Sequence, residues 1–175
     1  MRRAHRSAAG KRRDDDGRDE RGWGLSARYG LEIRAASAAD APGLAALIGS
    51  GGPAIAVRDL AERIEALRGR DGAALVAVEW GPPGGLVVLH WYRTLVAEPT
   101  AQITTLLVAP DDRRRGLGRL LLKAAAQAAR TAGCDGLEMV LPPDRPDLEA
   151  FCAATGFVAA GTRLTRPLRK RSAER

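Results

Sequence analysis

ITTLLVAPDDRRRGLGRLLLKAAAQAARTA, Ile103 to Ala132, is the stretch whose reading decides the fold. Ile103 to Val108 are all β-branched or leucine and read as a buried strand. Ala109-Pro110 ends it, because proline has no N–H to give a ladder. A charged loop, Asp111-Asp112-Arg113-Arg114-Arg115, follows, and Gly116-Leu117-Gly118 opens a long helix. Leu117, Leu120, Leu121, Ala124, Ala125 and Ala128 recur at helical spacing and give that helix one apolar face. Gly133 stands where a left-handed residue would cap its C-terminus.

Such a turn has the chemistry of an anion site. A helix N-terminus presents unpaired N–H groups and partial positive charge, and glycines let a phosphate approach the backbone. Consecutive N–H groups can also form a cradling nest, and three arginines add long-range attraction. An ordinary strand-to-helix turn with solvated arginines fits the glycines equally well. There is no GxxxxGK[ST] and no GxGxxG after a strand, which disfavours a P-loop and a dinucleotide fold.

Leu106-Leu107-Val108-Ala109-Pro110, then Arg113-Arg114-Arg115-Gly116-Leu117-Gly118 and Leu120-Leu121, resembles the acetyl-CoA-binding motif of the GNAT acyltransferases. That motif is Gln/Arg-x-x-Gly-x-Gly/Ala after the fourth strand, and here it begins at Arg113. Phe151-Cys152-Ala153-Ala154-Thr155-Gly156-Phe157 is similar to a second family signature, Phe-Tyr-x-x-x-Gly-Phe. The two motifs stand in the family's order. The resemblance implies an α/β fold: a single mixed, mostly antiparallel sheet flanked by helices on both faces. It also implies N-acetyl transfer from acetyl-CoA, as co-substrate, to a primary amine by direct attack in a ternary complex.

The composition sets further bounds. With 175 residues the chain is expected to be one domain with a real core. No apolar run approaches the roughly 20 residues of a membrane span, and no apolar segment follows the N-terminal arginines as in a secretory signal. Cys134 and Cys152 lack metal-ligand spacing, so no metal is expected and a reduced, cytoplasmic protein is. The net charge of +7 resides in the ends. Residues 1–30 carry nine Lys/Arg against five Asp/Glu and residues 161–175 six against one, leaving thirteen against fifteen between them. Basic tails attract nucleic acid non-specifically, but the body has only 4% aromatic residues and no stacking platform, which disfavours nucleic acid as the partner. A catalytically weak CoA-binding module is the other rival.

Along the chain, residues 1–30 are charge-dense and are expected to form a disordered basic tail. The acetyltransferase domain is expected over residues 31–168, and a second basic tail over 169–175. Leu31 to Ala36 reads as a first strand with Ile33 inward. Ser37 or Asp40 caps the next helix, which has Pro42 in its first turn and a Leu44-Leu47-Ile48 stripe. Asp59 to Leu67 is a second helix, and Gly49 to Gly52 is a candidate lid or a plain loop. Ala73 to Trp80 and Gly85 to Leu95 read as strands around a Gly81-Pro82-Pro83-Gly84 turn. Gly136 to Leu141 is a further strand, Asp147 to Thr155 a short helix, and Phe157 to about Leu168 a closing strand.

By resemblance, the pyrophosphate of acetyl-CoA meets the N–H groups of Arg114, Arg115, Gly116, Leu117, Gly118 and Arg119. The pantetheine arm runs along Leu106, Leu107 and Val108, where the fourth and fifth strands of the family splay. The catalytic positions depart from the pattern. The family's base glutamate falls on Gln102, which is neutral and orients rather than deprotonates. The tyrosine acid falls on Cys152, a thiol of ordinary pKa about 8.5 that also suits a small buried packing role. An asparagine often found upstream falls on Arg145. Glu138, Glu79, His90 and Tyr92 are further candidates to face the cleft; His90 reads more readily as half-buried, and Glu98 as an exposed loop acid. The acceptor is expected to be a small amine, aminoglycoside-like, polyamine or amino acid, with a protein N-terminus or lysine second. A homodimer stays open.

Overall fold

The structure, a computed structural model, describes residues 30–68, 71–142 and 145–161. Its elements are β1 (Glu32–Ala35), α1 (Ala41–Gly49), α2 (Val57–Leu67), β2 (Gly72–Val78), β3 (Gly85–Tyr92), β4 (Thr100–Val108), α3 (Leu117–Thr131), β5 (Gly136–Met139) and α4 (Pro146–Ala154). The five strands form one sheet in chain order. β1 to β4 are antiparallel neighbours and β5 runs parallel to β4, so the sheet is mixed as expected.

Period-2 alternation gives each strand two apolar faces. Leu75, Ala77, Val87 and Leu89 pack under α3 with Leu117, Leu121, Ala124, Ala125 and Ala128. Val76 and Leu86, on the opposite face, meet Leu44 and Leu47 of α1 and Leu60 and Ile64 of α2. Helices therefore cover both faces. Gly133 caps α3 as its sequence position implies, with φ 81°. Gly133 N–H donates to Arg130 O and Cys134 N–H to Ala129 O, the paired bonds of a Schellman turn.

The β1–α1 junction is fixed by one buried acid. Asp40, 8% exposed, receives both terminal nitrogens of Arg34 at 2.8 Å and the Ser37 N–H at 2.8 Å. The Arg34 hydrogen bonds hold its carboxyl down at about 2. Ala38 N–H also donates to Glu65 of α2 at 3.0 Å, which ties the second helix to the same junction.

Several expected boundaries move. β3 ends at Tyr92 rather than Leu95, because Thr94 closes a turn on Ala97: its Oγ1 accepts the Ala97 N–H at 2.9 Å and donates to Ala97 O at 3.0 Å. Leu95 and Val96 project from that turn, 104% and 96% exposed. β5 ends at Met139, and α2 starts two residues early at Val57. Of the expected closing strand, residues 157–161 have no strand pairing, and 162–168 lie outside the described residues, as do residues 1–29 and 169–175 of the expected tails.

Two irregularities shape β4. The register with β3 shifts between Val88 and Leu89, so Val88 faces Thr105, Leu89 faces Ile103, and Thr104 is bulged. A bulge inverts the alternation beyond it. Ala101 and Ile103 point to α3 before it, and Leu106 and Val108 after it. The second irregularity is the pairing with β5, which runs only from Thr100↔Gly136 to Ile103↔Met139. From Thr104 to Val108 the β5 side of β4 has no strand partner among the described residues.

Candidate functional site

The free edge of β4 leads directly into the arginine-glycine loop. Pro110–Asp112 form a single 3-10 turn, Arg113 is extended (φ −65°, ψ 153°), and Arg114 and Gly116 are left-handed at φ 63° and 85°. A left-handed arginine costs about 1–2 kcal/mol, and such strain persists only where its surroundings impose it. Arg115 supplies the restraint. Its guanidinium pairs with Asp112 at 2.7 Å and with Glu79, just past β2, at 3.4 Å. Arg113, Arg114 and Arg119 are exposed and form no ion pair among the described residues.

The start of α3 is bare in the way an anion needs. Gly116, its N-cap, offers no side-chain cap, and the first turn contains no carboxylate. The first intrahelical donors are Arg119 and Leu120, bonding to Gly116 O, so the Leu117 and Gly118 N–H groups remain open. Gly118 is informative because the fold does not require it. A Cβ there would stand 3.5 Å from the Phe151 ring and 3.8 Å from Val108 Cγ2, ordinary contact distances. Glycine inside a helix costs up to about 1 kcal/mol against alanine. Its smoothness serves whatever approaches the N–H groups. Leu106, Leu107 and Val108, on the free edge, are half-buried.

On the α1–α2 face of the sheet, three strands bring polar residues together. His90, Gln102 and Glu138 occupy one row, paired His90↔Gln102 and Gln102↔Glu138. Gln102 Nε2 donates to Glu138 Oε1 at 2.9 Å, and Tyr92 Oη donates to the same oxygen at 3.0 Å. Gln102 thus orients a carboxylate. His90 is exposed rather than half-buried, since it lies at the end of β3 that the α1–α2 core does not reach.

The remaining candidates separate from this cluster. Cys152, 5% exposed, points its thiol at Met139 Sδ, 3.7 Å away, and burial pushes its pKa up. Arg145 makes a two-bond pair with Asp147 at the start of α4, both at 2.9 Å, which holds the Asp147 carboxyl at about 2. Glu79 serves the Arg115 clamp, and Glu98 is exposed in the loop before β4. The Thr104 bulge and the convergence of Tyr92, Gln102 and Glu138 on one hydrogen-bonded oxygen escaped sequence reasoning, because both depend on cross-strand register.

The end of the β4–β5 pairing thus lies beside the uncapped start of α3, with a polar cluster on one face of the sheet. The sequence matches the profile of the acetyltransferase (GNAT) family over residues 51–157, more than half of the chain, and the protein belongs to that family. That family uses acetyl-CoA. No curated protein sequence matches the chain. Among solved structures it is similar to an acetyltransferase of Trypanosoma brucei, with 21% identity and a TM-score of 0.67 over 79% of this chain and 99% of the other. Glucosamine-6-phosphate N-acetyltransferase from Arabidopsis thaliana gives 15% identity and 0.67, with the same coverage. Aminoglycoside N-acetyltransferase AAC(6')-Iy, solved with CoA, gives 18% identity and 0.71 over 79% of this chain and 95% of that one. The same enzyme has been solved with the bisubstrate analogue CoA-S-monomethyl-acetylneamine. At these identities the likeness is one of fold. No helix among the described residues is long and apolar enough to cross a membrane.

Proposed function

We propose that the protein transfers an acetyl group from acetyl-CoA to a primary amine, the amine attacking directly while both substrates are bound. The observation that carries this reading is the uncapped start of α3 beside a left-handed arginine-glycine loop, continuous with the unpaired edge of β4. The residues fit the co-substrate. The N–H groups from Arg114 to Gly118 are open to its pyrophosphate, with Arg113, Arg114 and Arg119, exposed and without an ion pair among the described residues, as cations nearby. Leu106 to Val108 offer apolar side chains and open backbone groups to the pantetheine arm. Acetyl-CoA, when bound, supplies an activated acyl carbon.

The chain's own residues then do three things. The backbone donors along Thr104 to Val108 are positioned to stabilise negative charge on an acyl oxygen, the kind of interaction that strengthens in a transition state. The sheet face under α1 and α2 receives the acceptor. Cys152, sulfur to sulfur with Met139, packs α4 against β5. The acceptor is a small-molecule amine, a reading supported by the fold shared with an aminoglycoside acetyltransferase. Two free, buried thiols suit the reducing interior of the cell.

The test is thiol release from acetyl-CoA by the full chain, with spermidine, neamine, glucosamine 6-phosphate and lysine amide offered as acceptors. Amine-dependent release with a mass gain of one acetyl group on the amine is expected. CoA binding without acetylation of any amine would support a non-catalytic CoA-binding protein instead.

A further inference from the structure

We propose that Glu138 is the residue that receives the acceptor: its carboxylate pairs with the substrate's ammonium and takes a proton from it, so the acceptor is a cationic amine. The assignment rests on the acetyltransferase reading above and adds the acceptor's charge and its point of contact.

Three observations carry it. First, Glu138 on β5 is the direct register partner of Gln102 on β4, so the acid and the amide that orients it stand one strand spacing, about 4.8 Å, apart on the same face. Second, the carboxylate is held asymmetrically. Gln102 Nε2 and Tyr92 Oη both donate to Oε1, and Oε2 has no partner among the described residues. One oxygen is fixed by the protein, and the other is left to accept. Third, the Gln102–Glu138 pair is the penultimate one before the strands part at Ile103↔Met139. The acid therefore sits where the β4–β5 pairing ends, on the sheet face that carries α1 and α2 but beyond the reach of their core.

The chemistry balances without another reactant. A proton passes from the ammonium to Glu138 Oε2, leaving its bonding pair on nitrogen. That pair forms the C–N bond to the acyl carbon, and the C–S bond breaks with its electrons going to sulfur. The nitrogen's second surplus proton neutralises the thiolate, and Glu138 returns its own proton to water. Ammonium and thioester become amide, thiol and one free proton. Gln102 and Tyr92 are positioning residues in this scheme, since they act through the carboxylate they orient.

The experiment compares the full-length protein with Glu138→Gln, Gln102→Glu and the double exchange. Spermidine, neamine and lysine amide are each titrated calorimetrically into the CoA-saturated protein, and turnover is measured with the tightest binder. All four proteins are expected to keep the thermal shift produced by CoA. Glu138→Gln is expected to lose amine binding and to reduce kcat/KM for the amine by about 10²–10⁴, the usual worth of a positioned acid or base, with KM for acetyl-CoA unchanged. The double exchange restores the carboxylate on β4 and recovers at least about tenfold of that loss, a rescue that a merely structural role would not produce. The proposal is overturned if Glu138→Gln holds amine affinity and turnover within about threefold of wild type while CoA still shifts the melt. It is equally overturned if none of the three cations binds although CoA does. A wild-type protein without any CoA response would bring down the acetyltransferase reading itself, and this assignment with it.

Discussion

Replacing Gly118 with aspartate should separate folding from CoA binding, because the two respond with opposite signs. Gly118 is the second residue of α3, and a Cβ there meets Phe151 at 3.5 Å and Val108 at 3.8 Å without overlap. Its φ is not in the left-handed region, so a side chain introduces no backbone strain. A carboxylate in the first turn complements the helix dipole by about 0.3–1 kcal/mol, and leaving glycine adds up to about as much again. The unliganded variant should therefore be as stable as the parent or slightly more so. The new charge would lie against the N–H groups proposed to hold the pyrophosphate. A unit negative charge about 4 Å from another at an effective dielectric near 20 costs about 4 kcal/mol, or nearly a thousandfold in affinity. Gly118→Ala, which adds bulk without charge, should fall between the two. The assay is urea denaturation of each variant together with calorimetric titration of CoA. A folded Gly118→Asp protein whose CoA affinity matched the parent would refute the placement of the anion site.

Other consequences follow from single contacts. Asp40 is lowered from an ordinary 3.8 to about 2 by Arg34, so its contribution is present above about pH 4 and is lost as pH falls through 2. Asp40→Asn should cost about 2 kcal/mol at neutral pH and flatten the acid limb of a stability-versus-pH curve, measured by urea melts from pH 2 to 7. Gly85→Ala would put a Cβ 2.8 Å from Leu121 Cδ1 and 3.3 Å from Leu107 O, and such overpacking should lower stability by about 1–3 kcal/mol in the same melts. Cys152→Ala should lose about 1 kcal/mol from the small void beside Met139 while turnover stays near that of the parent. A collapse of turnover in that variant would instead make the thiol an essential acid.

What the sequence made legible is local. The β4–loop–α3 unit could be read because its signals are contained within thirty residues: an apolar run, a proline stop, glycines at the helix start and a 3.6-residue stripe. The Gly133 cap and the inward Ile33 belong to the same class, and both occur as read. Strand ends were less legible. Leu95 and Val96 extend the apolar pattern of β3, yet the Thr94–Ala97 turn throws them into solvent. The Thr104 bulge and the parallel register that sets Gln102 against Glu138 depend on strands far apart in sequence. Hydrophobic periodicity cannot supply cross-strand register. The arginine-glycine loop thus emerged from the motif, whereas Glu138, one of several candidate acids in the sequence, was set against Gln102 only once β5 was laid beside β4. His90 shows the same limit. Alternation assigns its face, but its exposure depends on how far α1 and α2 reach along the sheet.

The most direct test of the central claim is a thermal-shift titration of the full-length protein with acetyl-CoA, with free CoA and ATP alongside. A ligand that binds only the folded state adds about 2.7 kcal/mol at a hundredfold excess over Kd, enough to move the melt by several degrees. A comparable rise with acetyl-CoA and CoA, and none with ATP, is the predicted result. An unchanged melt with both CoA forms at millimolar concentration would contradict it, leaving the bare start of α3 as a strand-to-helix turn and no more.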